Sequence, residues 1–224
     1  MASPPVTMWG PESGGSVVLL PGFGSTVGTD FALLGPMLGR SRRAIGLDPD
    51  AVPVPGAVPE GSLPAPAHLV GYGAGAAAAL RLATGGAVRP ASVTLIAPVL
   101  SPGTAEAALL SAPFRLLRPE AAEPAIDRDR AARELAAIDG AELVARAADT
   151  AAPMLVIRCT DDALAGPDDA LRLVEAAPDA RLASVDSGHG VFVERPAEVL
   201  ALLARFLDDP HAHPAGSSYR AAAA

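Results

Sequence analysis

HLVGYGAGAAAALRLA, residues 68–83, joins a short apolar run to a glycine-dense turn and then to an alanine-rich segment. The pattern predicts a strand, a turn of the form G-x-z-x-G and a helix of small residues. Such a sharp strand-to-helix turn presents a catalytic nucleophile at position z in one large class of enzymes. Here z is Gly73, which has no side chain. The turn therefore raises the question of what such a site does without a nucleophile.

Two simpler interpretations of the turn compete with this one. A dinucleotide-binding turn needs G-x-G-x-x-G and an acidic residue on the following strand. Gly71, Gly73 and Gly75 are instead spaced by two and two, and the next apolar segment, 92–97 (SVTLIA), contains no acid. Glycines also occur in ordinary turns, so the turn alone does not exclude a plain strand–helix connection.

Apolar segments of strand and helix type alternate along the chain. Buried parallel strands appear as continuous apolar runs, and their alternation with helices predicts a doubly wound, mostly parallel α/β sheet of six to eight strands. This domain is expected over 1–208, followed by a flexible tail at 209–224. The predicted strands are 5–9, 16–20, 43–47, 67–70, 92–97, 153–158 and 181–185, and the predicted helices are 28–39, 74–84, 104–118, 128–147, 167–177 and 196–208.

Composition excludes several classes of function. The chain has 17 basic residues, all arginine, against 25 acids, for a net charge of −8. It therefore lacks the basic surface that nucleic-acid binding needs. The absence of lysine, asparagine and glutamine is typical of GC-rich genomes such as those of actinobacteria. The single cysteine, Cys159, excludes an internal disulfide and a multi-cysteine metal site.

No apolar run is long enough to cross a bilayer, and the N-terminal residues lack the pattern of a signal peptide. We therefore expect a soluble cytoplasmic protein that does not bind membranes, with no cofactor and no metal.

Three chemically informative residues follow predicted strands. Gly73 follows the strand at 67–70, Asp162 lies just past 153–158, and His189 follows the last strand. Because the carboxyl ends of parallel strands meet at one edge of the sheet, all three are expected there. Their order along the chain is nucleophile, acid, histidine. Asp161 is the alternative for the acid, because it is adjacent to Asp162.

Taken together, these motifs resemble the α/β-hydrolase-fold family over nearly the whole chain. VVLLPGFGS resembles the family's oxyanion loop, with Pro21 where the family normally has histidine. HLVGYGAG resembles the nucleophile turn, PMLVIRCTDD the acid segment, and DSGHGVFVERP the histidine segment. The resemblance implies that Asp162 is the acid and His189 the base. It also implies that the backbone N–H groups of Phe23 and Ala74 are the oxyanion donors.

The chain departs from this family pattern in three places. Gly73 stands at the nucleophile position, the segment 49–66 is proline-rich where a long helix is usual, and the cap, at approximately 101–130, is short. Without a helix over 49–66, one sheet face would lose its usual cover. Uncovered apolar faces mark association surfaces, so we expect either a closely packed linker or self-association, for example as a homodimer.

Three functional hypotheses follow from Gly73. Glycine cannot be acylated, so the favoured hypothesis is an enzyme that uses His189 and Asp162 without covalent catalysis. His189 would take a proton from the substrate or from water, and the Phe23 and Ala74 amides would hold the developing oxyanion. Elimination, isomerisation, cyclisation and direct hydrolysis all fit. The alternatives are a non-catalytic ligand-binding protein and a serine esterase or thioesterase whose nucleophile was replaced at position 73.

The residues expected around the pocket are largely apolar. Ser25, Tyr72, Phe114 and Val191 are the candidates for contact with substrate, beside Phe23. The alternative role for the Ser25 hydroxyl is to cap its own loop. An apolar pocket favours a small carbonyl compound, such as an ester, thioester, lactone or polyketide-like intermediate, and association with a GC-rich genome suggests natural-product biosynthesis.

Overall fold

A computed structural model describes residues 6–13, 15–48, 63–86, 88–101 and 127–219. Within these ranges, seven strands form one sheet in the order β1-β3-β2-β4-β5-β6-β7. All neighbouring strands are parallel except β1, which pairs antiparallel with β3 at one edge. The predicted doubly wound, mostly parallel sheet is thereby confirmed. The strands are β1 Val6–Trp9, β2 Ser16–Leu20, β3 Arg43–Leu47, β4 Ala67–Tyr72, β5 Pro90–Ile96, β6 Met154–Cys159 and β7 Ala180–Val185.

Strand β2 shows why the central strands are apolar throughout. Val18 and Leu20 belong to the core on one face of the sheet, whereas Val17 and Leu19 belong to the core on the other. Side chains alternate between faces along a strand, so a strand covered on both faces needs apolar residues at every position. Burying each such side chain contributes about 1.5–3 kcal/mol, and this drives the layered fold.

Helices cover both faces of the sheet. The helices α3, α4, α5 and α6 contribute to one core, and α1, α2, α7 and α8 contribute to the other. In the ranges described, no helix combines the length and the apolar character needed to span a membrane. The helices are α1 Val27–Asp30, α2 Leu34–Leu38, α3 Ala74–Thr84, α4 Arg128–Ala136, α5 Gly140–Asp149, α6 Asp169–Ala176, α7 Val191–Glu194 and α8 Pro196–Asp208.

Two helices predicted as continuous are divided in the structure. The predicted helix 128–147 becomes α4 and α5, because the Asp139 carboxylate accepts hydrogen bonds from the amides of Ala141 and Glu142 and starts a new helix. The predicted helix 28–39 likewise becomes α1 and α2. The predicted helix 104–118 and most of the predicted cap, 101–130, lie outside the described residues, and residues 128–130 form the start of α4.

The tail predicted as flexible from residue 209 is packed against the domain up to Tyr219. Leu182 of β7 accepts a hydrogen bond from the Tyr219 amide (2.7 Å), and its own amide donates to Ser217 (3.2 Å). The Tyr219 side chain is 1% exposed and contacts the Phe206 ring edge-on. The Tyr219 side chain and the edge strand β7 thus hold the segment from residue 209 to Tyr219, although its sequence has no periodic pattern of apolar residues. Residues 220–224 lie outside the described range.

The proline-rich segment 49–66 is described from Leu63 onward. Leu63 is buried in the same core as Ile45 of β3 and Leu69 of β4. The end of the linker therefore belongs to the core on this face of the sheet. Residues 49–62 lie outside the described part of the chain, so self-association through that face stays a prediction.

Candidate active site

Gly73 forms the turn between β4 and α3. Its backbone has φ +53° and ψ −113°, a conformation that only glycine adopts without substantial strain. The Gly73 amide donates to the Ile96 carbonyl (2.9 Å), and its carbonyl accepts from the Ala76 amide (3.1 Å). These bonds hold the turn at the carboxyl edge of the sheet.

The flanking glycines of the turn are required by close backbone packing. A Cβ atom at Gly71 would lie 2.1 Å from the Gly75 carbonyl oxygen, and one at Gly75 would lie 2.1 Å from that of Leu20. At Gly73 the nearest atoms are instead Cδ2 of Phe23 (3.2 Å) and Nε2 of His189 (3.3 Å). A side chain at position 73 would therefore point directly at the imidazole.

The imidazole of His189 is bound to a buried carboxylate. Nδ1 of His189 lies 2.8 Å from Oδ2 of Asp162, whose side chain is 3% exposed. The second oxygen, Oδ1, accepts from the amides of Leu164 (2.7 Å) and Ala165 (3.0 Å). Because an ionised carboxylate only accepts, Nδ1 donates to Asp162, and Nε2, which faces Gly73, has no hydrogen-bond partner among the described residues.

Asp162 remains ionised despite its position in the protein interior. Burial by itself would raise the pKa of Asp162, but the electrostatic interaction and hydrogen bond with the His189 ring and the two amide bonds outweigh it and leave the pKa below its ordinary value. Asp161, the alternative acid, is exposed at its side chain, and its amide donates to the Ser187 carbonyl. The structure therefore pairs the imidazole with Asp162.

Aromatic side chains fix the position of the imidazole. The Tyr72 ring stacks on His189 with centroids 5.1 Å apart, and its hydroxyl donates to the His189 carbonyl oxygen (2.6 Å). Phe23 lies on the Gly73 side, with its centroid 6.4 Å from that of the imidazole. Both the ring and the backbone of His189 are thus held by Tyr72.

The loop that follows β2 leaves one backbone amide, that of Phe23, without an acceptor among the described residues. Gly22 donates its amide to Asp30 (2.8 Å), and Gly24 donates its amide to Glu134 (2.7 Å). Among the described residues, nothing accepts from the amide of Phe23, which lies between them, or from that of Ala74 at the start of α3. Two uncommitted amides near an imidazole are a suitable arrangement for binding an oxyanion.

No protein-family model matches the sequence, and no curated protein matches it either. Solved structures do match the fold. A hydrolase from Pseudomonas aeruginosa PA01 is 21% identical with a TM-score of 0.68, over 90% of this chain and 93% of that one. An enol-lactonase from Burkholderia xenovorans LB400 is 20% identical with a TM-score of 0.70, over 91% and 96%. The esterase RhEst1 from Rhodococcus sp. ECU1013 is 19% identical with a TM-score of 0.65, over 91% and 94%.

The protein has the α/β-hydrolase fold. The similarity extends over nine-tenths of the chain, and the strand order is that of a doubly wound sheet with one antiparallel edge strand. Identities near 20% establish the architecture, while the chemistry must be argued from the site itself.

Within this α/β-hydrolase fold, the side chains expected to line the pocket have other partners. The Ser25 hydroxyl donates to Asp30 (2.8 Å), in agreement with the loop-capping alternative. Tyr72 supports His189 as described above, and Val191 is fully buried in the core. Phe114 lies outside the described residues. Phe23 is the pocket candidate whose ring contacts the Gly73 position, with Cδ2 3.2 Å from an added Cβ atom.

A cavity of about 200 Å³ lies beside Asp162, on the side of β5 and β6. Cys159 lines it, and burial raises the pKa of this thiol to about 12, so the thiol is protonated at neutral pH and serves as a core residue. In the ranges described, no group of three histidine, cysteine or acidic residues is placed to hold a metal ion.

The sequence patterns missed two carboxylates that shape the site, Asp30 and Glu134. Asp30 ends the four-residue helix α1, and Glu134 is 110 residues from the loop amide that it accepts. Neither lies in a recognisable motif. Only the folded chain brings Glu134 to the loop, so no local signal would have identified it.

Proposed function

We propose that this protein is an enzyme that carries out acid–base chemistry on an apolar carbonyl compound without a covalent intermediate. His189 is the general base, Asp162 orients it, and the amides of Phe23 and Ala74 bind the developing oxyanion. The observation that carries the proposal is the environment of Nε2 of His189. No described residue binds this atom, which faces a glycine, so it would act on a proton of the substrate or of a water molecule.

The expected contribution of each part is substantial. A positioned general base accelerates a reaction by about 10²–10⁴-fold, and one oxyanion donor contributes about 10²–10³-fold in kcat. Together they would support elimination, isomerisation, cyclisation or direct hydrolysis. The similar structures include proteins named an enol-lactonase and an esterase, which favours lactones and esters of apolar acids as the first substrates to test.

The test compares the wild-type protein with three variants on a panel of 4-nitrophenyl esters, acyl thioesters and enol lactones. His189→Ala should reduce turnover by about 10²–10⁴-fold, and Asp162→Asn should also reduce it because the imidazole loses its orientation. His68→Ala is the control. His68 is bound to Ser92 (2.7 Å) near the start of β4, far along the strand from the site, and its loss should leave turnover unchanged.

Gly73→Ser separates this proposal from the two alternatives. The proposal expects no large gain in activity, because a hydroxyl would fill the space in front of Nε2. A gain of several orders of magnitude in ester hydrolysis, with labelling by an organophosphorus reagent, would instead identify a serine hydrolase that lacks its nucleophile. Absence of turnover in every protein, with ligand affinity that changes in His189→Ala, would indicate a binding protein.

A further inference from the structure

The loop at 22–25 is held in place by carboxylates from two different parts of the chain. Asp30 accepts from the Gly22 amide (2.8 Å) and from the Ser25 hydroxyl (2.8 Å). Glu134 accepts from the Gly24 amide (2.7 Å). The amides on both sides of Phe23 are therefore bound, whereas no described residue accepts from the Phe23 amide between them.

Helix α4 makes further contacts with the same loop. The Asp127 amide, just before α4, donates to the Gly24 carbonyl (2.8 Å), and the Arg130 guanidinium donates to the Ser25 carbonyl (2.6 Å). Arg130 also forms an ion pair with Glu134 (3.5 Å). Glu134 thus belongs to a set of contacts that connects α4 and the residue before it to the loop at 22–25.

Gly24 is the residue whose backbone these contacts restrain. Its φ of +61° lies in the region that favours glycine, and a glycine without a fixed amide has many alternative conformations. Rotation in the loop at Gly24 would displace the neighbouring Phe23, whose ring lies beside Gly73. A carboxylate that accepts from the Gly24 amide restricts this rotation.

We propose that Glu134 is a positioning residue, which holds the Gly24 amide so that the neighbouring Phe23 amide points into the site as an oxyanion donor. The inference rests on the proposed function for the identity of the site. Glu134 does not touch the substrate, and it acts through the loop. Its pKa is raised mainly by burial, against the opposing effects of the Gly24 bond and of Arg130, which is consistent with a largely desolvated carboxylate.

Two substitutions at Glu134 distinguish the effect of its hydrogen-bond acceptor from the effect of its negative charge. Glu134→Gln keeps an oxygen that can accept from the Gly24 amide, whereas Glu134→Ala removes the acceptor. The control is Glu142→Ala on α5. Glu142 forms ion pairs with Arg81 (2.6 Å) and Arg146 (2.7 Å). Its substitution therefore removes a carboxylate that forms ion pairs, as Glu134→Ala does, but leaves the contacts of the loop intact.

The first measurement does not depend on turnover. The chain has five phenylalanines, so protein labelled with ¹⁵N-phenylalanine gives few amide signals, and Phe23→Leu assigns the relevant one. Phenylacetate, which carries a carboxylate oxygen on an apolar group, is the probe. It should shift the Phe23 signal of the wild type. Its dissociation constant should rise about tenfold or more in Glu134→Ala, as expected when a donor to a charged group is lost, and stay within about threefold in Glu134→Gln and Glu142→Ala.

The second measurement uses the substrate found in the panel above. An oxyanion donor acts mainly in the transition state, so Glu134→Ala should lower kcat by about tenfold or more with little change in KM. Glu134→Gln should recover most of this loss, and Glu142→Ala should retain wild-type kcat well below its unfolding temperature.

The outcomes distinguish failure of this inference from failure of the proposed function. A Phe23 signal that does not respond to phenylacetate in the wild type, or equal affinities in all variants, would overturn the positioning role. Turnover that depends on His189 but is unchanged in Glu134→Ala would overturn it while leaving the proposed function intact. A Phe23 response that depends on Glu134 in a protein without turnover would support the positioning role and contradict the proposed function.

Discussion

The three glycines of the turn at 71–75 differ in why they are glycine, and alanine substitutions should reveal the difference. At Gly75, an added Cβ would lie 2.1 Å from the Leu20 carbonyl oxygen and 2.7 Å from that of Pro21. Both are backbone atoms of the central strand and its loop, so α3 would have to move by more than about 1 Å from the sheet to restore ordinary contact.

The size of the effect follows from these contacts. Inserting a methyl group into a closely packed region costs about 1–3 kcal/mol, and rigid backbone on both sides places Gly75→Ala at about 3 kcal/mol or more. Gly73→Ala adds backbone strain of about 1–2 kcal/mol, because its φ is +53°. The nearest atoms to an added Cβ lie at 3.2–3.3 Å, so the steric clash is far smaller than at Gly75. For a domain of this size, each 1 kcal/mol lowers Tm by about 2–4 °C.

Urea unfolding followed by circular dichroism measures these free energies, with an unchanged slope as the check that unfolding stays two-state. Gly86→Ala is the matched control for strain, since Gly86 also has a positive φ (+78°) but has no atom within 4 Å of an added Cβ. Gly73→Ala should resemble Gly86→Ala within about 1 kcal/mol. The reasoning would be refuted if Gly75→Ala were as stable as Gly73→Ala.

Three further predictions concern residues around the site and the C-terminal segment. Tyr72→Phe should lower the free energy of unfolding by about 0.5–1.5 kcal/mol, measured in urea, because the His189 carbonyl loses the Tyr72 donor but keeps that of the Val191 amide (2.8 Å), while the stacked ring remains; a neutral substitution would contradict this role. The hydrogen bond from Arg81 is the main cause that lowers the pKa of Glu142 from 4.5 to about 2. The resulting stability is complete above pH 4.5 and is lost as pH falls toward 2, so Glu142→Gln should flatten the acid-unfolding profile over that range, and an unchanged profile would contradict the ion pair. Tyr219→Ala should destabilise the domain by about 3–5 kcal/mol in thermal unfolding, whereas a flexible tail would show no effect.

The sheet and the edge that carries the site were predictable from local patterns. Strands β2 and β3 match the predicted 16–20 and 43–47, because continuous apolar runs of this length are stable only when buried on both faces. The turn at Gly73 was predictable for a similar reason, since its two-and-two glycine spacing is required by backbone contacts within the turn and with β2. Once the strands are parallel, Gly73, Asp162 and His189 must lie at the same edge.

Only the tertiary structure decided which atoms meet at that edge. Adjacent Asp161 and Asp162 differ in burial and partners because the loop after β6 turns one carboxylate toward His189 and the other toward solvent. The bond from Gly24 to Glu134 and the docking of Tyr219 on β7 join residues far apart in the chain. Periodicity and residue spacing describe neighbours along one strand or helix, whereas these contacts depend on how separate elements pack. The sequence alone therefore determined the sheet edge at which the site lies. The folded chain determined the polar partners of the residues there.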